Sequence, residues 1–294
     1  MKILLTGAEG FIGTRLIKVL KKSNDVISYD LVNGDDIRDT FKLDKLFETE
    51  NFDAVVHLAA LAGVRRGEEF PDEYISTNIT GTQNLVNLCK KYGVKKFLSY
   101  SSSSVLGGNA NKDKGLVEED EYKPKGVYAI SKVAGEYIVK NSGLDYIVIR
   151  PFTVYGSQGR KDMVIYKWIN QILSGQDITY YGDGQTSRGY TYVDDLVKTT
   201  DRLLNELLEH NLTETYNLGG SEKINLDDLL QLFMKHCVDN RIDLNINRMD
   251  LPNADVVHSF ANTNKAKKDI NFNPQKKFKK VVKQILINEL KEKL

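Results

Sequence analysis

Tyr128 and Lys132 stand four residues apart in the run Tyr128-Ala129-Ile130-Ser131-Lys132. On a helix that spacing puts both side chains on one face, one turn apart. A tyrosine phenol has an ordinary pKa of about 10, too high for an efficient general base at neutral pH. A neighbouring ammonium favours the phenolate and turns it into a base. The same spacing also arises by chance in many helices. Ser101-Ser102-Ser103-Ser104 follows a stretch that reads as a strand ending beside this pair. A hydroxyl there can hydrogen-bond the reacting oxygen and assist the proton transfer, although four serines also make an ordinary solvated loop.

A second constellation opens the chain. Thr6-Gly7-Ala8-Glu9-Gly10-Phe11-Ile12-Gly13 follows an apolar strand and leads into a helix. Glycines in that place allow a tight turn and bring backbone amides close to a pyrophosphate at the helix N-terminus. Gly13 lets the helix pack closely on the strand. Asp30 closes the second apolar run, where a carboxylate accepts from the adenosine 2′- and 3′-hydroxyls and repels a 2′-phosphate. No Arg or Lys follows in Leu31-Val32-Asn33, so NAD is favoured over NADP. Asp36-Ile37-Arg38-Asp39 stands where an adenine could be gripped, and it reads equally as the start of a helix.

The elements that must position these groups alternate, strand then helix, through the first two-thirds of the chain. That is the pattern of β-α units on a parallel sheet. Strands are expected at Lys2–Thr6, Asp25–Asp30, Ala54–Ala59, Lys96–Ser101 and Tyr146–Arg150. Helices are expected at Phe11–Lys22, Tyr74–Tyr92 and Lys276–Leu294, each with an apolar stripe at helical spacing. After Pro151 the rhythm changes: loops lengthen, and Tyr and Gly become frequent, as in Tyr180-Tyr181-Gly182-Asp183-Gly184. The expected fold class is α/β, a Rossmann doubly wound parallel sheet with a smaller α/β substrate-binding domain. Residues 1–155 are expected to form the first domain, with 188–215 returning to it. Residues 156–187 and 216–294 form the second.

Composition narrows the partners. With 41 basic and 40 acidic side chains the formal net charge is +1, which gives no electrostatic reason to expect nucleic acid or a membrane surface. The hydrophobic share of 41% is ordinary for a globular chain. No apolar run approaches a membrane span. Cys89 and Cys237 make no disulfide framework, and the short apolar start Ile3-Leu4-Leu5 is no signal segment, so a soluble cytoplasmic protein is expected. His57, His210, His236 and His258 show no metal-ligand spacing, and no metal is expected.

Taken in order, these pieces resemble the extended short-chain dehydrogenase/reductases of the NAD-dependent epimerase/dehydratase family. The resemblance runs from Lys2 to about Lys280. It is carried by Thr6–Gly13, His57-Leu58-Ala59-Ala60, Tyr74 with Asn78 and Gly81-Thr82, Ser101–Gly107, Tyr128–Lys132 with Glu136, Arg150–Gly156, and Arg188 with Tyr192-Val193-Asp194-Asp195. The resemblance implies NAD held by Gly7, Gly10, Phe11, Ile12, Gly13 and Asp30. It adds Asp36, Ile37, Leu58, Ala59 and Ala60, with Tyr128 and Lys132 at the nicotinamide end. Counting back from Gly107, the family's catalytic hydroxyl falls on Ser102, with Tyr128 as the base. Arg188 matches the arginine that holds a nucleotide diphosphate, and Arg65 is expected on the substrate as well. Family members are commonly homodimers.

That resemblance also sorts the reactions. Dehydratases of the family carry an Asp-Glu pair after the catalytic hydroxyl, and its decarboxylases a Glu at the second position; here both places hold serine, Ser103-Ser104. Epimerisation at C4 needs no further acid or base, because the 4-keto sugar turns over and the hydride returns to its other face. Arg150–Gly156 followed by Gly159-Arg160-Lys161-Asp162-Met163 resembles UDP-glucuronate 4-epimerases of the family. Ser103, Ser104 and Thr153 could hold a C6 carboxylate as neutral donors, or simply meet water and ring hydroxyls. A UDP-glucose/galactose or UDP-N-acetylhexosamine 4-epimerase is the alternative, and a non-catalytic NAD-sensing protein the alternative outside enzymes. Departures from the family pattern are Gly189 after Arg188, Leu106 before Gly107, and Pro252 in the place of a second phosphate arginine, with Arg248 near but out of register.

Overall fold

The computed structural model describes residues 1–108, 114–252 and 255–291. Asn253, Ala254 and the end of the expected C-terminal helix, 292–294, lie outside the described residues.

Six strands make the main sheet: β1 (Lys2–Thr6), β2 (Asp25–Tyr29), β3 (Ala54–His57), β4 (Lys96–Tyr100), β5 (Asp145–Pro151) and β6 (Thr213–Leu218). Their order across the sheet is β6-β5-β4-β3-β1-β2, and every pairing is parallel. The strands read as nearly unbroken apolar runs because both faces of such a sheet are covered. Alternate residues therefore enter opposite cores. Ile3, Leu5, Val56, Leu98 and Ile149 face one, whereas Leu4, Val55, Phe97 and Val148 face the other.

The longer helices are α1 (Gly13–Leu20), α2 (Thr40–Thr49), α3 (Gly81–Lys91), α4 (Gly126–Lys140), α5 (Val164–Leu173), α6 (Val193–Glu209), α7 (Leu226–Asp239) and α8 (Phe278–Glu289). Leu16 and Leu20 of α1 join Leu196 and Leu203 of α6 in the first core. Phe47 of α2, Leu85 of α3 and Val139 of α4 fill the second. The strand order reverses between β1 and β3, so the loops leaving the carboxyl ends of these strands open a crevice there.

A further core gathers α5, α7 and α8 around Trp168, Phe233 and Phe278. Its strands are short, which explains the changed rhythm after Pro151. Ser187–Gly189 lies between Lys223–Asn225 and His258–Ser259, and Ile178–Tyr181 pairs with Ile246–Met249.

Where one helix was expected over Tyr74–Tyr92, the chain forms a short helix at Pro71–Tyr74, a widened π turn at Ile75–Thr80 and then α3. The widened turn brings Asn78 into a clamp. Its Oδ1 accepts from Leu61 N at 2.8 Å, and its Nδ2 donates to Leu61 O at 3.0 Å and to Ser131 Oγ at 2.9 Å. Such turns recur at functional sites. Among the described residues no helix is long and apolar enough to cross a membrane.

Candidate active site

The groups expected to carry chemistry are set by the carboxyl end of β4 and by α4. Past Tyr100, Ser101 N donates to Ile149 O at 2.7 Å, which keeps the chain on the sheet for one more residue. Ser102 then caps the short turn Ser103–Leu106: its Oγ accepts from Ser104 N at 3.2 Å and from Ser104 Oγ at 2.8 Å. The start of α4 is fixed by Glu68, whose carboxylate accepts from Val127 N at 2.9 Å, a favourable place for negative charge. One turn on, Lys132 reaches back to β4 and donates from Nζ to Tyr100 O at 2.6 Å. Burial lowers the Lys132 pKa to about 8, and the charge of Glu136 opposes that drop. The Tyr128 ring meets the edge of Tyr74, centroids 6.2 Å apart. Tyr74 in turn donates to Ala62 O and Gly63 O, at 2.9 and 3.0 Å.

At the other end of the crevice, Gly7 has φ +72°, and a Cβ there would stand 2.6 Å from Ala59 N and 2.8 Å from Leu58 C. At Gly13 a Cβ would run into Gly7 O and Ala8. The loop is thus closed on β3 and on α1 with no room for a side chain at Gly7 or Gly13, and it is held by Gly7 N donating to Tyr29 O at 2.9 Å and Gly10 N to Gly7 O at 3.3 Å. Beneath it His57 bridges Thr6 Oγ1 at 2.8 Å and Thr82 Oγ1 at 3.0 Å. Its burial lowers its pKa to about 3, so it is neutral. Asp30 fastens the loop from the β2 side, accepting from Glu9 N at 2.9 Å and from Val32 N at 3.0 Å.

One continuous cavity of about 1180 Å³ runs between these ends. Gly7, Gly10, Phe11, Ile12, Gly13, Leu58 and Ala60 line one end; Ser102, Tyr128 and Lys132 the middle; Ser103, Ser104, Thr153, Arg65 and Arg188 the rest. Asp30, Asp36, Ile37 and Ala59 are outside that lining. Ile37 is a core residue, packed where a Cβ on Gly81 would stand. Asp36 is ion-paired to Arg38, and helix α2 begins after Asp39, which caps it by accepting from Lys42 N at 3.0 Å.

The lining carries eight cationic side chains, Arg65, Arg66, Lys125, Lys132, Arg160, Lys161, Lys167 and Arg188, against three carboxylates, Glu69, Asp162 and Asp255. A cleft so biased in a chain of near-zero net charge attracts a polyanion. Arg188 donates to two carbonyls, Ser187 O at 2.9 Å and Val257 O at 3.0 Å, and among the described residues no carboxylate pairs with it. Arg65 lies 4.3 Å over the Tyr181 ring, donates to its hydroxyl at 3.1 Å and stands 3.5 Å from Asp255. Arg248 stacks at 4.7 Å on Tyr180, outside the lining. Sequence reasoning passed over Tyr181, Lys167 and Asp255; only the density of Tyr and Gly after Tyr180 hinted at a binding wall.

A family model described as the NAD dependent epimerase/dehydratase family matches residues 3–219. Over 302 aligned residues the chain is 33% identical to a UDP-glucuronate 4-epimerase of Thermodesulfobacterium geofontis, covering 92% of this chain and 91% of that one. Among solved structures, the UDP-glucuronic acid 4-epimerase of Bacillus cereus, in complex with UDP-glucuronic acid and NAD, is 29% identical over the full length of both chains with a TM-score of 0.87. The UDP-glucose 4-epimerase of Thermotoga maritima, with UDP-glucose, is 26% identical with a TM-score of 0.88, covering 100% of this chain and 99% of that one. The crevice at the strand reversal, the tight loop in which Gly7 and Gly13 leave no room for a Cβ, and this agreement along the whole chain lead to one assignment: the chain belongs to the NAD dependent epimerase/dehydratase family.

Proposed function

We propose that this protein is an NAD-dependent 4-epimerase of a UDP-sugar, with UDP-glucuronate the favoured substrate. The observation that carries the reading is a single cavity joining the Gly7–Gly13 loop to Ser102, Tyr128 and Lys132 and onward to a cation-rich wall. The glycine cradle suits a pyrophosphate approached by backbone amides, as does the N-terminus of α1. Gly7, Gly10, Phe11, Ile12, Gly13, Leu58, Ala59 and Ala60 would hold NAD, with Asp30 accepting from its adenosine ribose and Asp36 and Ile37 near the adenine. Bound NAD supplies the hydride acceptor and donor at sugar C4.

The chain's own residues do the rest. Tyr128 takes the proton of the C4 hydroxyl, and Ser102 hydrogen-bonds the same oxygen. Lys132, held by Tyr100 O, sets a positive charge one turn from Tyr128. Once the 4-keto sugar has turned, Tyr128 returns the proton. Ser103 and Ser104 put no added acid/base pair directly after Ser102, which is what elimination or decarboxylation would need. Arg188 and Arg65 would hold the diphosphate, and a planar guanidinium suits that contact. Ser103, Ser104 and Thr153 would meet a C6 carboxylate as neutral donors.

Ile130 and Tyr137, each 53% exposed on α4, offer an apolar strip to a second copy of the chain, and a homodimer is part of this reading. A cytoplasmic setting fits two buried free cysteines.

The test is product analysis with UDP-glucuronate, UDP-glucose and UDP-N-acetylglucosamine, with and without added NAD. The C4 epimer of UDP-glucuronate without net NADH is expected, faster than either uncharged sugar. Faster turnover of UDP-glucose would transfer the assignment to the uncharged hexoses. A stable keto product, carbon dioxide or stoichiometric NADH would sink epimerisation altogether.

A further inference from the structure

Behind the Ser102–Tyr128–Lys132 cluster lies a charged network that touches neither the cavity's glycine end nor its cationic wall. Glu136 and Arg150 face each other with side chains 1% and 2% exposed. Arg150 donates twice, from Nε to Glu136 Oε1 at 2.8 Å and from a terminal nitrogen to Oε2 at 2.7 Å. Tyr122 donates to Oε2 at 2.7 Å, and the Lys140 ammonium stands 3.0 Å from it. Ser101 Oγ donates to Oε1. Arg150 also donates to Glu118 O at 2.9 Å. Burial alone would raise the Glu136 pKa, but Arg150, Lys140 and Ser101 hold it at about 2, so it is ionised throughout the physiological range.

A buried ion pair is weak grounds for stability, since apolar residues of like volume do as well. The pair calls for a geometric reason, and its partners supply one. Ser101 is the residue before Ser102, at the end of β4. Glu136 sits on α4, one turn beyond Lys132 and two beyond Tyr128. Along extended backbone successive side chains point to opposite sides. Ser101 also reaches the cavity lining, but anchoring its hydroxyl to Glu136 fixes the strand end from which Ser102 enters the cavity.

We propose that Glu136, locked to Arg150, is a positioning residue of the reaction: through Ser101 it ties the strand end that carries Ser102 to the helix that carries Tyr128 and Lys132. The inference rests on the reading of Ser102 as the hydroxyl partner of Tyr128. Neither Glu136 nor Ser101 takes or gives a proton. They fix the separation of the two groups that act on the sugar oxygen, where a misplacement of about 1 Å costs on the order of a hundredfold in rate.

The test uses the full-length enzyme with Ser101→Ala, which removes one hydroxyl and leaves the Glu136–Arg150 pair, and Glu136→Gln, which keeps the volume. Two readouts separate positioning from packing. Amide hydrogen exchange at Ser101, Ser104, Val105 and Gly107 should quicken at least several-fold in Ser101→Ala, with β1 and β3 unchanged. Its kcat should fall roughly tenfold or more at constant KM and constant NAD content, in keeping with partial loss of alignment. Unchanged exchange overturns the proposal, and so does unchanged kcat despite faster exchange. A rise in KM that accounts for the whole loss overturns it as well. If Glu136→Gln does not fold, Ser101→Ala decides alone. A wild-type protein inactive on every UDP-sugar would sink the epimerase reading instead, and the exchange pattern would still decide whether Glu136 anchors the Ser102 strand end.

Discussion

Replacing Gly7 by alanine strikes the cofactor cradle with two separable penalties. The first is conformational: φ is +72°, and an L-residue there costs about 1–2 kcal/mol. The second is steric. The new Cβ would stand 2.6 Å from Ala59 N and 2.8 Å from Leu58 C, both backbone atoms that cannot swing aside. Ordinary carbon contacts lie near 3.5 Å, so the loop and the end of β3 must part by roughly 1 Å. Overpacking of that order costs about 1–3 kcal/mol. Gly93 provides the control, since its φ is +73° and nothing lies within 4 Å of a Cβ there. Gly93→Ala should therefore show the first penalty alone. Urea unfolding of both variants, paired with NAD titration followed by calorimetry, reads the difference. Gly7→Ala should lose about 1–3 kcal/mol more stability than Gly93→Ala. It should also bind NAD at least tenfold more weakly, about 1.4 kcal/mol, because the loop proposed to cradle the pyrophosphate is displaced. Equal stability losses and wild-type NAD affinity in Gly7→Ala would refute the argument that close backbone approach builds this site.

Tyr128→Phe should abolish all but a trace of epimerisation while NAD content stays at the wild-type level; undiminished turnover would remove Tyr128 from the chemistry and place the base elsewhere in the cavity. With its pKa lowered to about 8 by burial, Lys132 is an ammonium below that pH and neutral above it, so kcat should fall along an alkaline limb near pH 8. A kcat flat to pH 10 contradicts that role. His57 is neutral in the fold with a pKa of about 3, whereas an unfolded histidine takes up its proton below about 6.5. Acidification through that window therefore favours the unfolded chain, by roughly 2–3 kcal/mol between pH 7 and 4.5. Urea unfolding at the two pH values should show a smaller acid loss in His57→Gln, and an equal loss in both proteins would place the titration elsewhere.

What could be read from the residues and what could not divide along a physical line. Strands β1 to β5 announce themselves because both faces of the sheet are buried, so Leu4 and Leu5 must both be apolar although they enter different cores. Their ends are less legible. Asp30 and Leu58 look like strand continuations but lie past the last paired residues, Tyr29 and His57, because the backbone there turns to serve the crevice. The π turn at Ile75–Thr80 leaves no trace in the apolar stripe, and the bonds that Asn78 makes there go to Leu61, seventeen residues away. The same holds for the site. Tyr128 and Lys132 are joined by helical spacing, and a local pattern is enough to pair them. Nothing in local spacing ties Ser101 to Glu136, 35 residues on, or brings Arg65 to Asp255 across 190. These contacts are made by the docking of whole elements, the first by α4 against β4 and the second by the two walls of the cleft. The residues proposed to touch a reacting atom thus declare themselves by type and spacing. Those that hold them in place emerge only when the chain has folded, and a reading of catalytic motifs alone would have left Glu136 and Arg150 as an unexplained buried pair.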